Sequence, residues 1–161
     1  MNTSGSAAGT TTVTAEIRIA ARPETVFEFF VDPAKLLRWK GIEATLEPRP
    51  GGLYRVNVNG KDIAVGRYVV VEPPTRVVFT WGWEGEGSLL PPGSSTVDVT
   101  LTADGDGTLV RLEHRDLPAA AAEQHREGWL HFLDRLEVAG AGGDPGPDPW
   151  AQQPMGDASA R

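Results

Sequence analysis

Residues 117–139 read LPAAAAEQHREGWLHFLDRLEVA, and this stretch decides the fold class. Pro118 suits the opening of a helix, which is predicted from Ala119 to Ala139 and is closed by Gly140. Large hydrophobic side chains recur at the i, i+3, i+4, i+7 spacing of one helix face: Trp129, Phe132, Leu133 and Leu136. The stretch therefore predicts a long amphipathic helix with a single apolar face, which needs a partner surface.

The partner surface lies earlier in the chain, where turn signals separate stretches of strand-like alternation. The predicted strands cover residues 52–58, 63–72, 76–83, 96–102 and 108–115, with a weaker one at 42–47. Strands joined by short turns form an antiparallel sheet that has one face to cover, and the helix has one face to bury. Packing the helix across the sheet satisfies both requirements.

The beginning of the chain adds one strand and two short helices. Residues 13–20 alternate between apolar and polar side chains, as a half-buried strand does. Pro23 opens a short helix, and Pro33 opens a second that runs towards Trp39 and ends at Gly41. The order predicts an α+β fold in which a curved antiparallel sheet wraps around a long C-terminal helix. The two short helices close one end and leave a cavity.

Composition sets the domain limits. The chain has 161 residues, a length typical of one domain. Residues 1–12 are rich in Thr, Ser, Gly and Ala, and residues 140–161 are rich in Gly and Pro, so both are predicted to be disordered tails. Residues 13–139 are predicted to form the folded domain.

Charge and residue usage exclude several classes of function. The net charge is −7, with 22 acidic and 15 basic residues and no segregated basic patch, which disfavours nucleic acid as a partner. No apolar run approaches the length that membrane insertion needs, and the first residues lack a secretory signal. The absence of cysteine excludes disulfides and thiolate metal sites. A cytoplasmic location is the resulting expectation.

Aromatic residues concentrate where the sheet should be concave. Val77, Phe79, Trp81 and Trp83 share one face of a predicted strand, opposite the apolar face of the last helix. For Phe79 we favour core packing, whereas for Trp81 and Trp83 both core packing and pocket lining stay open. The candidate ligand-binding cavity is lined by Trp39, Tyr54, Val56, Phe79, Trp81, Trp83, Leu112, His114, Trp129, Phe132 and Leu133.

The three histidines do not form a recognisable metal or catalytic set. His125 and His131 are six residues apart on one helix and so do not share the face that paired ligands require. His114 is interpreted as a buried imidazole, with an acid–base role as the alternative. Glu113 alternates to the solvent face and cannot orient His114. We therefore predict no catalytic residue, metal or cofactor.

Several short motifs occur together in one order: Pro23 with Val26 and Phe27, Leu37-Arg38-Trp39 before Gly41, Pro50-Gly51-Gly52 before Tyr54, Gly66, Pro73-Pro74, Thr80-Trp81, Thr108 with Val110, and Gly128-Trp129. This set resembles the activator of heat-shock protein 90 ATPase homologue family, in the START-like (SRPBCC) superfamily. The resemblance spans residues 13 to about 138. It implies a helix-grip fold with a hydrophobic cavity, in a superfamily that includes lipid carriers, polyketide cyclases and a co-chaperone domain.

Three functions follow as hypotheses. The leading one is non-catalytic binding of a small hydrophobic molecule, such as a lipid, in the internal cavity. The second is a polyketide cyclase-like enzyme in which His114 or Tyr54 moves a proton. The third is a chaperone-interacting protein, which rests on the family resemblance alone.

Overall fold

The computed structural model describes residues 10–152. Strand β1 (Thr10–Ile19) leads into helices α1 (Pro23–Val31) and α2 (Pro33–Leu36). Six more strands follow: β2 (Glu43–Leu46), β3 (Leu53–Asn57), β4 (Ile63–Glu72), β5 (Arg76–Trp81), β6 (Ser95–Asp104) and β7 (Gly107–Pro118). The long helix α3 (Ala119–Gly140) comes next, and a 3₁₀ turn covers Pro149–Gln152.

The strands form one antiparallel sheet in the order β1-β7-β6-β5-β4-β3-β2. Each strand from β2 to β7 pairs with its neighbour in the chain, while β1 joins the far edge beside β7. The α+β helix-grip fold and all seven predicted strands are confirmed. The second short helix is shorter than predicted, because it ends at Leu36 and residues 37–39 form a turn.

The short helices are fastened to the sheet by buried polar groups. The Trp39 indole donates to the Phe29 carbonyl oxygen at 3.0 Å, and the Tyr68 hydroxyl donates to the Phe30 carbonyl oxygen at 2.9 Å. Both acceptors lie near the end of α1, where the last carbonyls have no partner within the helix. These bonds hold α1 against β4 and the turn after α2, and side chains fill that end of the fold.

The segment after α3 contacts the helix. Trp150 stacks on His131 with ring centroids 3.9 Å apart, and Asp148 Oδ1 lies 2.8 Å from His131 Nε2. Arg135 Nη2 donates to the Gly146 carbonyl oxygen at 2.9 Å. The sequence placed these residues in a disordered tail, whereas here they pack on α3. Residues 10–12, which were predicted to belong to the N-terminal tail, form the start of β1, because their backbone pairs with the end of β7. Residues 1–9 and 153–161 of the predicted tails lie outside the described residues.

Exposed large hydrophobic side chains are scattered. They are Ile42, Val69, Leu89, Leu130 and Val138. Leu89 is the most exposed of them, at 61%, and it lies between β5 and β6. None of the helices in residues 10–152 combines the length and apolar character needed to cross a bilayer.

Candidate functional site

A pocket of about 370 Å³ opens beside the start of α3. Its other wall is the loop of residues 84–90, which leads from the end of β5 towards β6. Its apolar lining consists of Trp83, Leu89, Leu90 and Ala121, and its polar lining includes Asp62, Glu84, Glu86, Ser88, Gln124 and His125. The volume falls within the range of small-molecule sites.

A second crevice, of about 590 Å³, lies between residues 37–42 and the segment 144–151. It is more open than the first pocket, and its wall contains no aromatic side chain among the described residues. Small-molecule sites are enclosed and favour aromatic walls. The pocket beside Trp83 is therefore the better candidate.

Backbone contacts at the base of the loop fix the position of Trp83. The Trp83 amide donates to the Leu90 carbonyl oxygen at 2.7 Å, which closes the loop at its neck. A β-carbon at Gly82 would overlap the Pro91 carbonyl oxygen, so only glycine permits this close approach. These contacts place the Trp83 side chain at the boundary between the core and the pocket.

His125 joins the loop to α3. Its Nδ1 lies 2.9 Å from the Ala121 carbonyl oxygen, and its Nε2 lies 2.9 Å from Trp83 Nε1. An indole can only donate and a carbonyl can only accept, so His125 is neutral with its proton on Nδ1. Burial lowers the pKa of His125, and the nearby Lys40 lowers it further. Both ring nitrogens are therefore occupied in the free protein.

His114 has the opposite tautomer. Trp129 Nε1 donates to His114 Nδ1 at 2.9 Å, so the proton of the neutral ring is on Nε2. That proton is donated to Ser95 Oγ at 2.7 Å, and Ser95 in turn donates to the Trp81 carbonyl oxygen at 2.8 Å. Burial, followed by the proximity of His125 and Lys40, lowers the pKa of His114 to about 2. His114 is a fully satisfied core group that does not line the pocket.

Lys40 is buried among aromatic rings. Only 3% of its surface is exposed, and its Nζ lies 4.1 Å from the Trp81 ring centroid, 4.2 Å from that of Trp129 and 4.8 Å from that of Phe132. Burial lowers the pKa of Lys40 well below its usual value, and the charge of Asp148 opposes this shift. Ring faces within about 6 Å favour an ammonium group. Sequence reasoning missed Lys40, because a lysine in a turn is ordinarily exposed.

Lys40 also borders a small, partly open void of about 10 Å³. The remaining wall residues are Trp81, Trp83, His125, Gly128, Trp129 and Phe132. Trp83 and His125 line both this void and the larger pocket, so the two spaces are neighbours. The hydrogen bond between their side chains belongs to the wall that the two spaces share.

The predicted cavity residues fall into two groups. Four of them line the small void, namely Trp81, Trp83, Trp129 and Phe132, and of these Trp83 also lines the larger pocket. The others are buried in the core away from both spaces: Trp39, Tyr54, Val56, Phe79, Leu112, His114 and Leu133. Tyr54 stacks on Phe79 with ring centroids 4.0 Å apart, and its burial raises the pKa of its hydroxyl.

Several pocket residues were absent from the sequence prediction. Of the twelve residues that line the larger pocket only Trp83 was predicted, and the eleven missed ones are Asp62, residues 84–90, Ala121, Gln124 and His125. Leu89 and Leu90 lie in a loop without regular periodicity, and His125 was considered only as a metal ligand. The alanine-rich start of the last helix could have indicated the pocket, because small side chains there leave space beside the sheet.

Comparison with known proteins gives one matching family model and many similar structures. The model of Activator of Hsp90 ATPase homolog 1-like protein matches residues 20–140. The AHSA1-like protein of Rhizobium etli is 48% identical, with 88% of each chain covered and a TM-score of 0.69. No curated protein gives a significant match.

Two further structures come from proteins with similar names. CalU16 of Micromonospora echinospora is 30% identical over 87% of this chain and 78% of its own, with a TM-score of 0.69. DynU16, a protein of the dynemicin biosynthetic locus, is 26% identical with a TM-score of 0.72. The match covers 83% of this chain but only 48% of DynU16.

Proposed function

The chain belongs to the family of activator of Hsp90 ATPase homolog 1-like proteins, and on that premise we propose that it binds a small, largely apolar molecule. The binding site is the pocket between the loop of residues 84–90 and the start of α3. The observation that carries this proposal is the 370 Å³ pocket, with the Trp83 indole in its wall and polar groups around it. Such a pocket encloses an apolar body and orients it through a few polar contacts.

The exposure of Leu89 supports the same proposal. Its side chain lines the pocket and is 61% exposed, although nearby Leu90 is only 2% exposed. A ligand that covers Leu89 removes apolar surface from water, at about 25 cal/mol for each Å². An exposed leucine on a pocket wall therefore provides binding energy that the free protein does not use.

The direct test is a titration with several classes of apolar compound. Lipids, flavonoids and polyketide-like aromatics should be titrated against tryptophan emission and against displacement of the dye 8-anilino-1-naphthalenesulfonate. Compounds related to dynemicin belong in the set, because DynU16 belongs to that biosynthetic locus. We expect saturable binding of at least one class. The absence of saturation by all of them would contradict the proposal.

Substitution of Leu89 locates the site. We expect Leu89→Ser to weaken binding of the best compound about tenfold, since losing about half of a leucine burial removes about 1.4 kcal/mol. Leu130→Ser is the matched control, because Leu130 is also exposed, at 41%, but does not line the pocket. Affinities from the same dye displacement should separate the two variants, and equal affinities would place the ligand elsewhere.

The cyclase-like alternative receives no support from its two candidate residues. Neither His114 nor Tyr54 lines the pocket, and both ring nitrogens of His114 are engaged in hydrogen bonds. A proton-transfer group must reach the substrate directly or through one water molecule. The proposal is therefore binding without catalysis by these residues.

A chaperone partner is the second candidate function, because the description of the matching family names activators of Hsp90 ATPase. The test is the ATPase rate of the Hsp90 from the same host, measured with and without the purified chain. A rate that rises saturably with concentration would support this function. An unchanged rate, together with no complex on gel filtration, would remove it.

A further inference from the structure

The walls of the small void supply hydrogen-bond donors without an acceptor. Trp81 Nε1 is buried and has no hydrogen-bond partner among the described residues. Within the same part of the chain, Lys40 Nζ makes no hydrogen bond or ion pair. An indole N–H and an ammonium can only donate. Trp81 and Lys40 both line the void, so two residues of one wall carry donors that have no acceptor among the described residues.

The charge of Lys40 strengthens this requirement. Its Nζ lies over three ring faces, but no carboxylate among residues 10–152 forms an ion pair with it. Asp148, whose charge reaches Lys40, instead bonds to His131 and to the Trp150 amide. Burial without a counter-charge disfavours the charged form of Lys40 and lowers its pKa, and an anionic oxygen next to Nζ would favour the ammonium again.

The size and place of the void indicate how such an oxygen arrives. A void of about 10 Å³ is close to the smallest space that holds one water-sized group. Trp83 and His125 line both this void and the larger pocket, which has room for an apolar body. The lining of the larger pocket includes Asp62, Glu84 and Glu86, which disfavour a further anion beside them, so a charged ligand oxygen belongs in the void next to Lys40. One molecule can therefore place its body in the pocket and one oxygen in the void, when the Trp83–His125 contact opens.

We propose that the ligand is an apolar carboxylic acid, bound as its carboxylate, with one oxygen accepting hydrogen bonds from Lys40 Nζ and Trp81 Nε1. This inference rests on the proposed binding function and names the chemical class of its ligand. Lys40 is then a specificity-determining residue. We expect Lys40 to add little stability to the ligand-free protein, because its burial lowers its pKa and its Nζ makes no hydrogen bond or ion pair among the described residues.

The test compares an acid with its neutral analogue. We expect 2-naphthoate to bind the wild-type chain at least tenfold more tightly than 2-naphthamide, as measured by isothermal titration calorimetry, because the amide has the same shape without the charge. Lys40→Met should abolish this preference, since methionine keeps an unbranched apolar chain but no donor. Trp81→Phe should reduce the preference while keeping a ring.

A control variant and a stability measurement test whether the acid preference depends on Lys40 itself. Lys35→Met changes the net charge equally, but Lys35 pairs with Glu28 away from the void, so the acid preference should persist. The urea midpoint of Lys40→Met should equal or exceed that of the wild type. A lowered midpoint with an unchanged preference would show that Lys40 is structural.

The remaining outcomes separate this inference from the function on which it rests. Equal affinities of 2-naphthoate and 2-naphthamide for the wild type, with both bound, would overturn the inference and leave the binding function standing. Binding of neither probe, nor of decanoate as an aliphatic acid, would overturn the inference. If the broader set of compounds also failed to bind, the proposed function would fall with it.

Discussion

Acidification from pH 7 to pH 4.5 should lower the free energy of unfolding by about 3 kcal/mol through His114 alone. The folded protein holds the pKa of His114 at about 2, whereas an unfolded histidine has a pKa of about 6.5. Below pH 6.5 the unfolded chain binds a proton that the folded chain does not. Each pH unit below that value therefore removes about 1.4 kcal/mol of stability, until the pH approaches 2.

Acid destabilises the folded protein because of the hydrogen bonds that the His114 ring makes. Trp129 already donates to His114 Nδ1, so a proton on that atom would face another donor. The contribution of His114 to stability is present above the unfolded pKa of about 6.5 and is lost as the pH falls towards the folded value of about 2. His125 acts in the same direction, because burial lowers its pKa and Trp83 donates to its Nε2.

Urea unfolding between pH 7.5 and pH 4.5 measures this effect. His114→Phe is the matched variant, because it keeps a ring but cannot titrate. It should be less stable than the wild type at pH 7, since the Trp129 N–H loses its acceptor, yet its stability should fall less steeply with pH. Parallel curves for the two proteins would show that His114 does not supply the acid sensitivity.

The fold was predictable because each element carries its own periodic signal. The alternation in 108–115 correctly placed His114 inward and Glu113 outward, and the helical spacing around Trp129 correctly placed that indole against the sheet. These patterns depend only on which neighbours share a face. The order of the elements then left few ways to cover the sheet.

The cavity was less predictable, because it depends on how completely side chains fill the space. Tyr54, Tyr68 and Phe79 pack together under the short helices, which leaves the void of about 10 Å³ where the sequence predicted a ligand space. Alternation identifies inward residues but not their combined volume. The larger pocket is formed by the 84–90 loop, whose shape depends on a tight neck at Gly82 and not on any repeat.

Lys40 shows a second limit of sequence reasoning. Its burial depends on the turn after α2 meeting Trp81 and Trp129, which are distant in the chain. Residue type alone favours an exposed lysine. The tautomers of His114 and His125 likewise follow from tryptophan partners that sequence spacing does not pair.

Trp129→Ala should remove about 5 kcal/mol from the free energy of unfolding at pH 7. Trp129 is only 3% exposed and its ring lies 5.2 Å from that of Trp81, so truncation leaves a cavity, which for a buried tryptophan costs about 3–5 kcal/mol. The same change leaves His114 Nδ1 without a hydrogen-bond donor, which adds about 1–3 kcal/mol to the loss of stability. The total free energy of unfolding of a native protein is about 5–15 kcal/mol, so the variant should be only marginally stable.

Trp129→Phe separates the two contributions, because it keeps most of the ring but removes the donor to His114. We expect it to lose about 2 kcal/mol and to remain folded, so its affinity for the best ligand can be measured. Since Trp129 touches the small void but not the larger pocket, that affinity should change less than it does in Leu89→Ser. If Trp129→Ala lost under 2 kcal/mol in urea unfolding, the indole would border open ligand space and would not be a packed core group.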